Sequence, residues 1–422
     1  MLRTMGSRVL PVLVLFASLT QVVSTASAQP PPPPGQFRGD HYRPGQNSYW
    51  FDVSFFYEEL APYGEWIDHP QFGWVWTPYN IPFSWRPYTR GQWVYSDCGW
   101  TWMSHEPFGW AVYHYGRWFW DPYIGWLWVP GMQWAPAWTE WRIGQGWVGW
   151  APLQPDVGGW RGNDYGFSAH PERPTRNFYW NFAPARNFCD DRLIDNIVRV
   201  TRNVNLVRIT AEVTHYSRRD SRIINLSFGT DRIQQYTRSP IASYRLMDRD
   251  VGGPGRPDPD RGGRPSRPPS SVSRGFEIKG NNLYAFRPQL NDAKATVTPR
   301  ELIQKPQNVT PPRSSEAQRR LEVEKQALEK RLAAERASLE RRQKLEKQRA
   351  PDYVKPGEID KWHASERSAL EEQREREMKL LERQMQRAQS GKTGVTPSNV
   401  RRYAVDDKPD NDKGKDQDNK KK

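Results

Sequence analysis

Side chains that do chemistry are few in this sequence, and their spacing decides what they can do. Seven histidines, His41, His69, His105, His114, His170, His215 and His363, are scattered along it. None has a partner at the four-residue spacing that puts two zinc-binding imidazoles on one helix face. His105-Glu106 runs into Pro107, so the metalloprotease-type helix cannot form there. Two cysteines, Cys98 and Cys189, are too few for a zinc knuckle. An oxidising compartment would let them form a disulfide, and two unpaired thiols is the other reading. There is no G-x-S-x-G elbow and no phosphate loop. Paired carboxylates remain: Glu65, Asp68 and Glu106 are candidates for hydrolytic chemistry, which would need two of them ~5–9 Å apart across a cleft. The pattern points to a protein without catalytic residues, metal or cofactor.

Tryptophan stands out instead. Nineteen of the 21 tryptophans fall between Trp50 and Trp160, and they fall in a repeat. The segment 82–93, PFSWRPYTRGQW, aligns without a gap on 107–118, PFGWAVYHYGRW, with six identities at an offset of 25. Gly73-Trp74, Gly99-Trp100 and Gly125-Trp126 recur at 26-residue spacing, each opening a Gly-Trp-x-Trp strand. A degenerate fourth copy runs from Trp138 through Trp150 and has Gly146 where tryptophan is expected. Residues two apart share one face of a strand, as Trp74 and Trp76 do. Gly and Pro punctuate the repeat every 8 to 12 residues. The elements that must position the rings are therefore short antiparallel strands in a meander. Asp97 and Asp121, just before the Gly-Trp pairs, are read as turn residues and not as acids.

Eighteen tryptophans against twelve Val, Ile and Leu between Ala61 and Trp160 mean that most of the indoles must be core. A domain of about a hundred residues cannot hide every ring, so some should form an exposed stripe. The repeat positions Trp85, Trp93, Trp110 and Trp118 are the candidate binding rings, because equivalent rings at a fixed repeat match a repeating polymer. Net charge is +14, but the span from Ser48 to Trp160 holds four arginines, no lysine and ten carboxylates. Base stacking needs a cationic groove, so an acidic aromatic domain excludes nucleic acid. Envelope polysaccharide or an extended peptide remains as the partner.

The chain organises around this domain. Residues 1–28 have the parts of a secretory signal peptide: Arg3 and Arg8, an apolar core from Val9 to Leu19, and Ala26-Ser27-Ala28 before a mature start at Gln29. The apolar run is too short to span ~30 Å of hydrocarbon, so the chain is not expected to be membrane-spanning. Residues 29–47, with Pro30 to Pro34, form a proline-rich spacer. Residues 48–160 form the tryptophan-rich β repeat domain. Residues 161–250 form a second β-rich region with strands at Ile197–Val200, Val204–Ile209, Val213–Tyr216, Ile223–Phe228 and Ile241–Met247, and a short helix over Arg232–Tyr236. A disordered linker covers 251–275, a short hairpin 276–290 and a second linker 291–315. Residues 316–389 read as charged helices, coiled-coil-like in composition. Their heptad fails, since Leu321 and Leu328 are followed by Glu335, so solvent-exposed helices that do not pack onto the β body are expected. Residues 390–422 are a disordered charged tail. The fold class is mainly β, with disordered linkers and a long charged helical C-terminal tail.

The YTRGQW (88–93) and YHYGRW (113–118) units and their Gly-Trp-x-Trp strands resemble a family of bacterial exported tryptophan-rich repeat proteins with no assigned activity. Residues 178–248 are similar to the strand-rich region that often follows those repeats. The resemblance covers roughly residues 50–250 and implies an envelope location without catalysis. The expected function is that of an exported, non-catalytic envelope protein, periplasmic or secreted, that holds a glycan or an extended peptide on exposed rings. The alternatives are self-association or partner binding through the C-terminal helices, and a secreted hydrolase.

Overall fold

The computed structural model describes residues 50–155, 175–219, 222–237, 240–249, 257–258, 264–265, 274–290, 297–303, 314–348 and 356–389. The signal peptide, the proline-rich spacer, most of both linkers and the charged tail lie outside the described residues. A two-residue strand β1 (Trp50–Phe51) leads into helix α1 (Ser54–Leu60).

Four hairpins then carry the four copies of the repeat. They are β2 (Gly64–His69) with β3 (Gly73–Pro78), β4 (Gly91–Ser96) with β5 (Gly99–Ser104), β6 (Arg117–Asp121) with β7 (Gly125–Val129), and β8 (Thr139–Gly144) with β9 (Trp147–Pro152). Helix α2 (Gly109–Val112) precedes the third. Each hairpin places one tryptophan opposite another: Trp66 faces Trp76, Trp93 faces Trp102, Trp118 faces Trp128, and Trp141 faces Trp150. The degenerate fourth copy keeps this pair although its turn departs from the motif.

Two glycines of the motif follow from that pairing. In each Gly-Trp pair the glycine closes the turn at positive φ, +68° at Gly73 and +85° at Gly99, where a side chain is strained. The glycine two residues before the first-strand tryptophan lies over the facing indole. A Cβ at Gly64 would come 2.4 Å from the Trp76 ring, and one at Gly91 2.7 Å from Trp102.

The hairpins do not form one meander. The first and third combine into a sheet of order β2-β3-β7-β6. The fourth joins β10 (Asn181–Pro184) and the two-residue β11 (Ala211–Glu212) in the order β10-β9-β8-β11. The second is extended by β14 (Ser243–Asp248) and by the hairpin β17 (Glu277–Lys279) and β18 (Asn282–Ala285), in the order β17-β18-β14-β4-β5. Strand β14 runs parallel to both β4 and β18. The 276–290 hairpin is thus part of the body and does not stand apart from it. Its last residues form β19 (Gln289–Leu290), parallel to β1. Smaller pairings are β12 (Tyr216–Arg219) with β13 (Arg222–Asn225), and β15 (Pro257–Asp258) with β16 (Arg264–Pro265). Asp121 is the turn residue expected: its Oδ1 accepts from the amides of Tyr123 and Ile124 at 2.7 and 2.8 Å. Asp97 instead ties strands together, its Oδ1 accepting from the Leu246 amide at 3.0 Å and its amide donating to Tyr244 at 2.9 Å.

The region after the repeats is less β-rich than its alternating residues suggest. Residues expected as a strand at 204–209 form helix α3 (Asn203–Ile209), and 3-10 turns occupy Leu193–Asn196 and Val200–Arg202. Tertiary partners override the alternation. Buried Asn203 donates from Nδ2 to the carbonyls of Asn177 and Trp180 at 2.9 and 2.6 Å. At the other end Arg142 of β8 donates to the carbonyls of Val207 and Thr210, where a cation meets the helix's negative pole. The expected short helix is present as α4 (Asp231–Gln234), followed later by α5 (Pro299–Leu302).

The charged tail makes the largest correction. Helices α6 (Ser314–Gln348) and α7 (Pro356–Gln389) form an antiparallel pair, tied by Lys347–Asp360 at 2.5 Å, Arg342–Glu366 at 2.6 Å and Arg331–Glu377. Leu328, Leu332 and Leu381 are buried together, with Phe83 of the body packed against them. Helix α7 lies on α3 and the Val200–Arg202 turn, and Arg383 donates to the Pro122 carbonyl. The heptad test failed to foresee this because it asks for one seam. Here the helices pack through buried polar groups, Gln343, Glu366, Gln373 and Glu377, as well as through leucines. The structure therefore combines several antiparallel sheets around tryptophan clusters with a helical C-terminal region, rather than being mainly β. Among the described residues no helix is long and apolar enough to cross a membrane.

Candidate functional site

The four rings expected to bind a polymer are core. Trp85, Trp93, Trp110 and Trp118 are 5%, 1%, 4% and 1% exposed. Trp93 and Trp118 stand on equivalent strands of their hairpins and, with Trp85 from the loop before β4 and Trp110 from α2, join one buried cluster. Trp93 meets Trp141 at 4.5 Å and Trp102 at 5.0 Å between ring centres, while Trp85 meets Trp118 at 5.5 Å. Indole N–H groups find internal acceptors: Trp85 Nε1 donates to Glu106 Oε1 at 2.8 Å and Trp118 Nε1 to the Val112 carbonyl at 2.9 Å.

Glu106 is occupied in this way and also accepts from the Tyr113 hydroxyl. Burial pushes its carboxyl up, against the two hydrogen bonds that hold it down. Glu65 and Asp68 are three apart on β2, so they point to opposite faces. Glu65 and Asp68 therefore do not face one cleft together. Cys98 and Cys189 are free thiols. Cys98 is buried with Leu246, Leu283 and Ala285, whereas Cys189 packs at the edge of the main aromatic core. Sequence spacing was silent on this because separation in space, not along the chain, decides pairing. Among the described residues no group of three or more His, Cys, Asp or Glu is placed to hold a metal ion.

Between Trp66 and Trp150 the half-buried tryptophans are Trp74, Trp120, Trp134 and Trp147. Arginines from outside the repeat cover three of them. Arg300 lies 5.4 Å from the Trp74 ring, Arg287 4.9 Å from Trp134, and Arg202 5.2 Å from Trp147. Each is a cation–π contact. Part of the positive charge after residue 160 is thus spent on closing the aromatic surface of an acidic domain. Trp120 is the exception. Its ring is edge-on to Trp126 and Phe178, both at 5.7 Å, with no cation over it among the described residues.

Trp120 faces a groove between the β body and the helical pair. Two cavities, of about 300 and 770 Å³, share Trp120, Phe178, Val200 and Arg376 and so run together along α7. Trp85 and Trp126 line the smaller one while remaining almost wholly buried. Arg86 enters from the loop before β4, its Nε donating to Asn181 Oδ1 at 2.8 Å. Arg376 enters from α7 and lies 3.9 Å over the Phe178 ring. Burial lowers the pKa of both guanidiniums, and the charge of Arg376 lowers that of Arg86 further, to about 10.

This assembly was beyond the reach of sequence reasoning. Trp120 occupies the position of Tyr95 in the previous copy, a difference that marks it as the copy's variable ring. Arg86 and Arg376 carry no such mark, and Arg376 is one of many charges on a helix. The four repeat tryptophans were singled out for equivalence, whereas the groove is built where equivalence ends.

No curated protein and no solved structure matches this chain. Residues 57–157, which hold all four hairpins, match the model of a family of unknown function, DUF6600.

Proposed function

We propose that this is an exported, non-catalytic protein of the bacterial cell envelope that holds an extended polymer, glycan or peptide, in the groove along α7. Export rests on the signal-peptide features of residues 1–28. Binding rests on one observation: among the described residues Trp120 is the half-buried tryptophan of the repeat with no cation over its ring, and it lines an elongated groove with Phe178. Concave sites with aromatic walls and a few convergent polar groups are the usual form of a ligand site. The binding surface moves from the four repeat rings to this groove, while the class of partner stays as the sequence suggests.

The test uses the full mature chain from Gln29. Immobilised envelope polysaccharide should retain it and shift its tryptophan fluorescence, and Trp120→Ala with Phe178→Ala should abolish both. Retention unchanged in that double variant would move binding elsewhere. A second reading, self-association through the helices, is favoured by Trp362, which is 43% exposed on α7. Sedimentation of the wild type and of Trp362→Ala separates it: a concentration-dependent mass that Trp362→Ala abolishes supports self-association.

A further inference from the structure

The walls of the smaller cavity are unevenly charged. Five guanidiniums line it, those of Arg86, Arg90, Arg199, Arg331 and Arg376. Glu335 and Glu377 are the carboxylates in the same lining, and Arg331 is paired with both. Gln373 Nε2 also donates to Glu377, at 3.0 Å. Arg86 uses its Nε on Asn181, and among the described residues no acceptor meets its two terminal nitrogens. Arg376 has the Phe178 ring beneath it and, among the described residues, no hydrogen-bonded carboxylate. Arg142, by comparison, donates from Nε to the Thr210 hydroxyl and from Nη2 to the Val207 and Thr210 carbonyls. Partial burial carries a cost for both cations and Arg376 repels Arg86, which the charges of Glu335, Glu372 and Glu377 offset only in part. An anion placed between them removes that cost and makes charge-assisted bonds of the forked kind that guanidinium favours.

We propose that the groove's ligand is an acidic glycan, whose carboxylate or phosphodiester groups are held by Arg86 and Arg376 while its sugar rings lie against Trp120 and Phe178. This rests on the groove-binding reading above and names its ligand class. A peptide added as a strand fits less well. Strand β6 is an edge of its sheet, yet the Trp120 amide is already taken by the Tyr179 hydroxyl at 2.8 Å. Ring walls and guanidiniums suit a charged sugar chain.

The experiment measures equilibrium binding to the mature chain by tryptophan fluorescence and calorimetry. Four probes of matched length are used: a neutral glucan, a uronate oligosaccharide, a phosphodiester-linked glycan and an oligoglutamate peptide. At least one acidic glycan should bind about tenfold or more tighter than the neutral one, with affinity falling as salt rises. The uronate and phosphodiester arms identify which anion it is. Arg86→Met should lower that affinity about tenfold, the loss expected for one forked charge-assisted contact. Arg376→Gln, at a half-buried position on α7, gives the same readout should Arg86→Met fail to fold. If the neutral glucan binds as tightly as the acidic ones, or both variants retain acidic binding, the anionic assignment is wrong while the groove reading stands. If only oligoglutamate binds, the ligand is a peptide and the glycan is excluded. If no probe binds, both the assignment and the groove reading fall.

Discussion

The hydroxyl of Tyr88 donates to the carbonyl of Tyr113, 2.9 Å away. These two residues occupy the same position in the two gapless copies of the repeat, 25 residues apart. The copies therefore bond to each other through their own motif. The same hydroxyl accepts from the Trp138 amide at 3.1 Å, at the entry to the fourth hairpin. Tyr88→Phe leaves that amide and the Tyr113 carbonyl without this partner in a buried site. It should cost ~1–3 kcal/mol. In urea unfolding the midpoint should fall with an unchanged slope, and an unchanged midpoint would show that the tie contributes nothing.

The two motif glycines of the hairpins predict a difference in kind between their alanine substitutions. At Gly91 an added Cβ meets the Met103 carbonyl at 2.3 Å and the Trp102 ring at 2.7 Å. Gly91→Ala should displace Trp102, alter the near-ultraviolet circular dichroism and cost ~1–3 kcal/mol as overpacking. Gly73, at φ +68°, has open space around it. Gly73→Ala should cost ~1–2 kcal/mol through backbone strain alone, with the aromatic dichroism unchanged. Matching spectra for both variants would count against the close approach.

Burial raises the Glu140 carboxyl to about 7, against the Thr175 hydroxyl bond that lowers it. The folded state then keeps a proton that the unfolded chain has released. Its contribution to stability is fully present below the ordinary carboxylate range and is lost as pH rises from about 4.5 to about 7. His114 acts in the opposite sense. Burial lowers it to about 4, so its contribution is present above about 6.5 and is lost as pH falls toward 4. The difference between the wild type and Glu140→Gln isolates the carboxyl. That difference should grow between pH 4.5 and 7, by roughly 3 kcal/mol at most, with the variant the more stable at pH 8. A flat difference would contradict a buried, protonated Glu140.

Both thiols are free, and burial pushes each up to about 12. Alkylation in denaturant without reductant should therefore label Cys98 and Cys189 both, and the native protein should react slowly, Cys189 before the more buried Cys98. Mass spectrometry reads the two additions. No label in denaturant would mean that the pair is oxidised.

The relationship between the two arms of the repeat was legible early. Gly73-Trp74, Gly99-Trp100 and Gly125-Trp126 marked turns, and each opens the second strand of a hairpin. The preponderance of indole over aliphatic residues called for a tryptophan core, and Trp76, Trp100, Trp102 and Trp128 are fully buried. Val204–Ile209 misled because its alternation is compatible with a strand until Asn203 and Arg142 claim its ends. Choosing Trp85, Trp93, Trp110 and Trp118 as binding rings assumed that equivalence means a shared outer surface.

What the sequence determined by itself is local: turn positions, strand pairs, the cross-strand tryptophans and the helical character of residues 316–389. These follow from φ preferences, period-two alternation and propensity, which act over a few residues. What only the tertiary structure decided is non-local: which hairpins share a sheet, which indoles arginines cover, and where α7 lies. Those depend on contacts such as Arg376 on Phe178, nearly two hundred residues apart in the chain. No short-range preference encodes such a contact, because it exists only once both surfaces have formed.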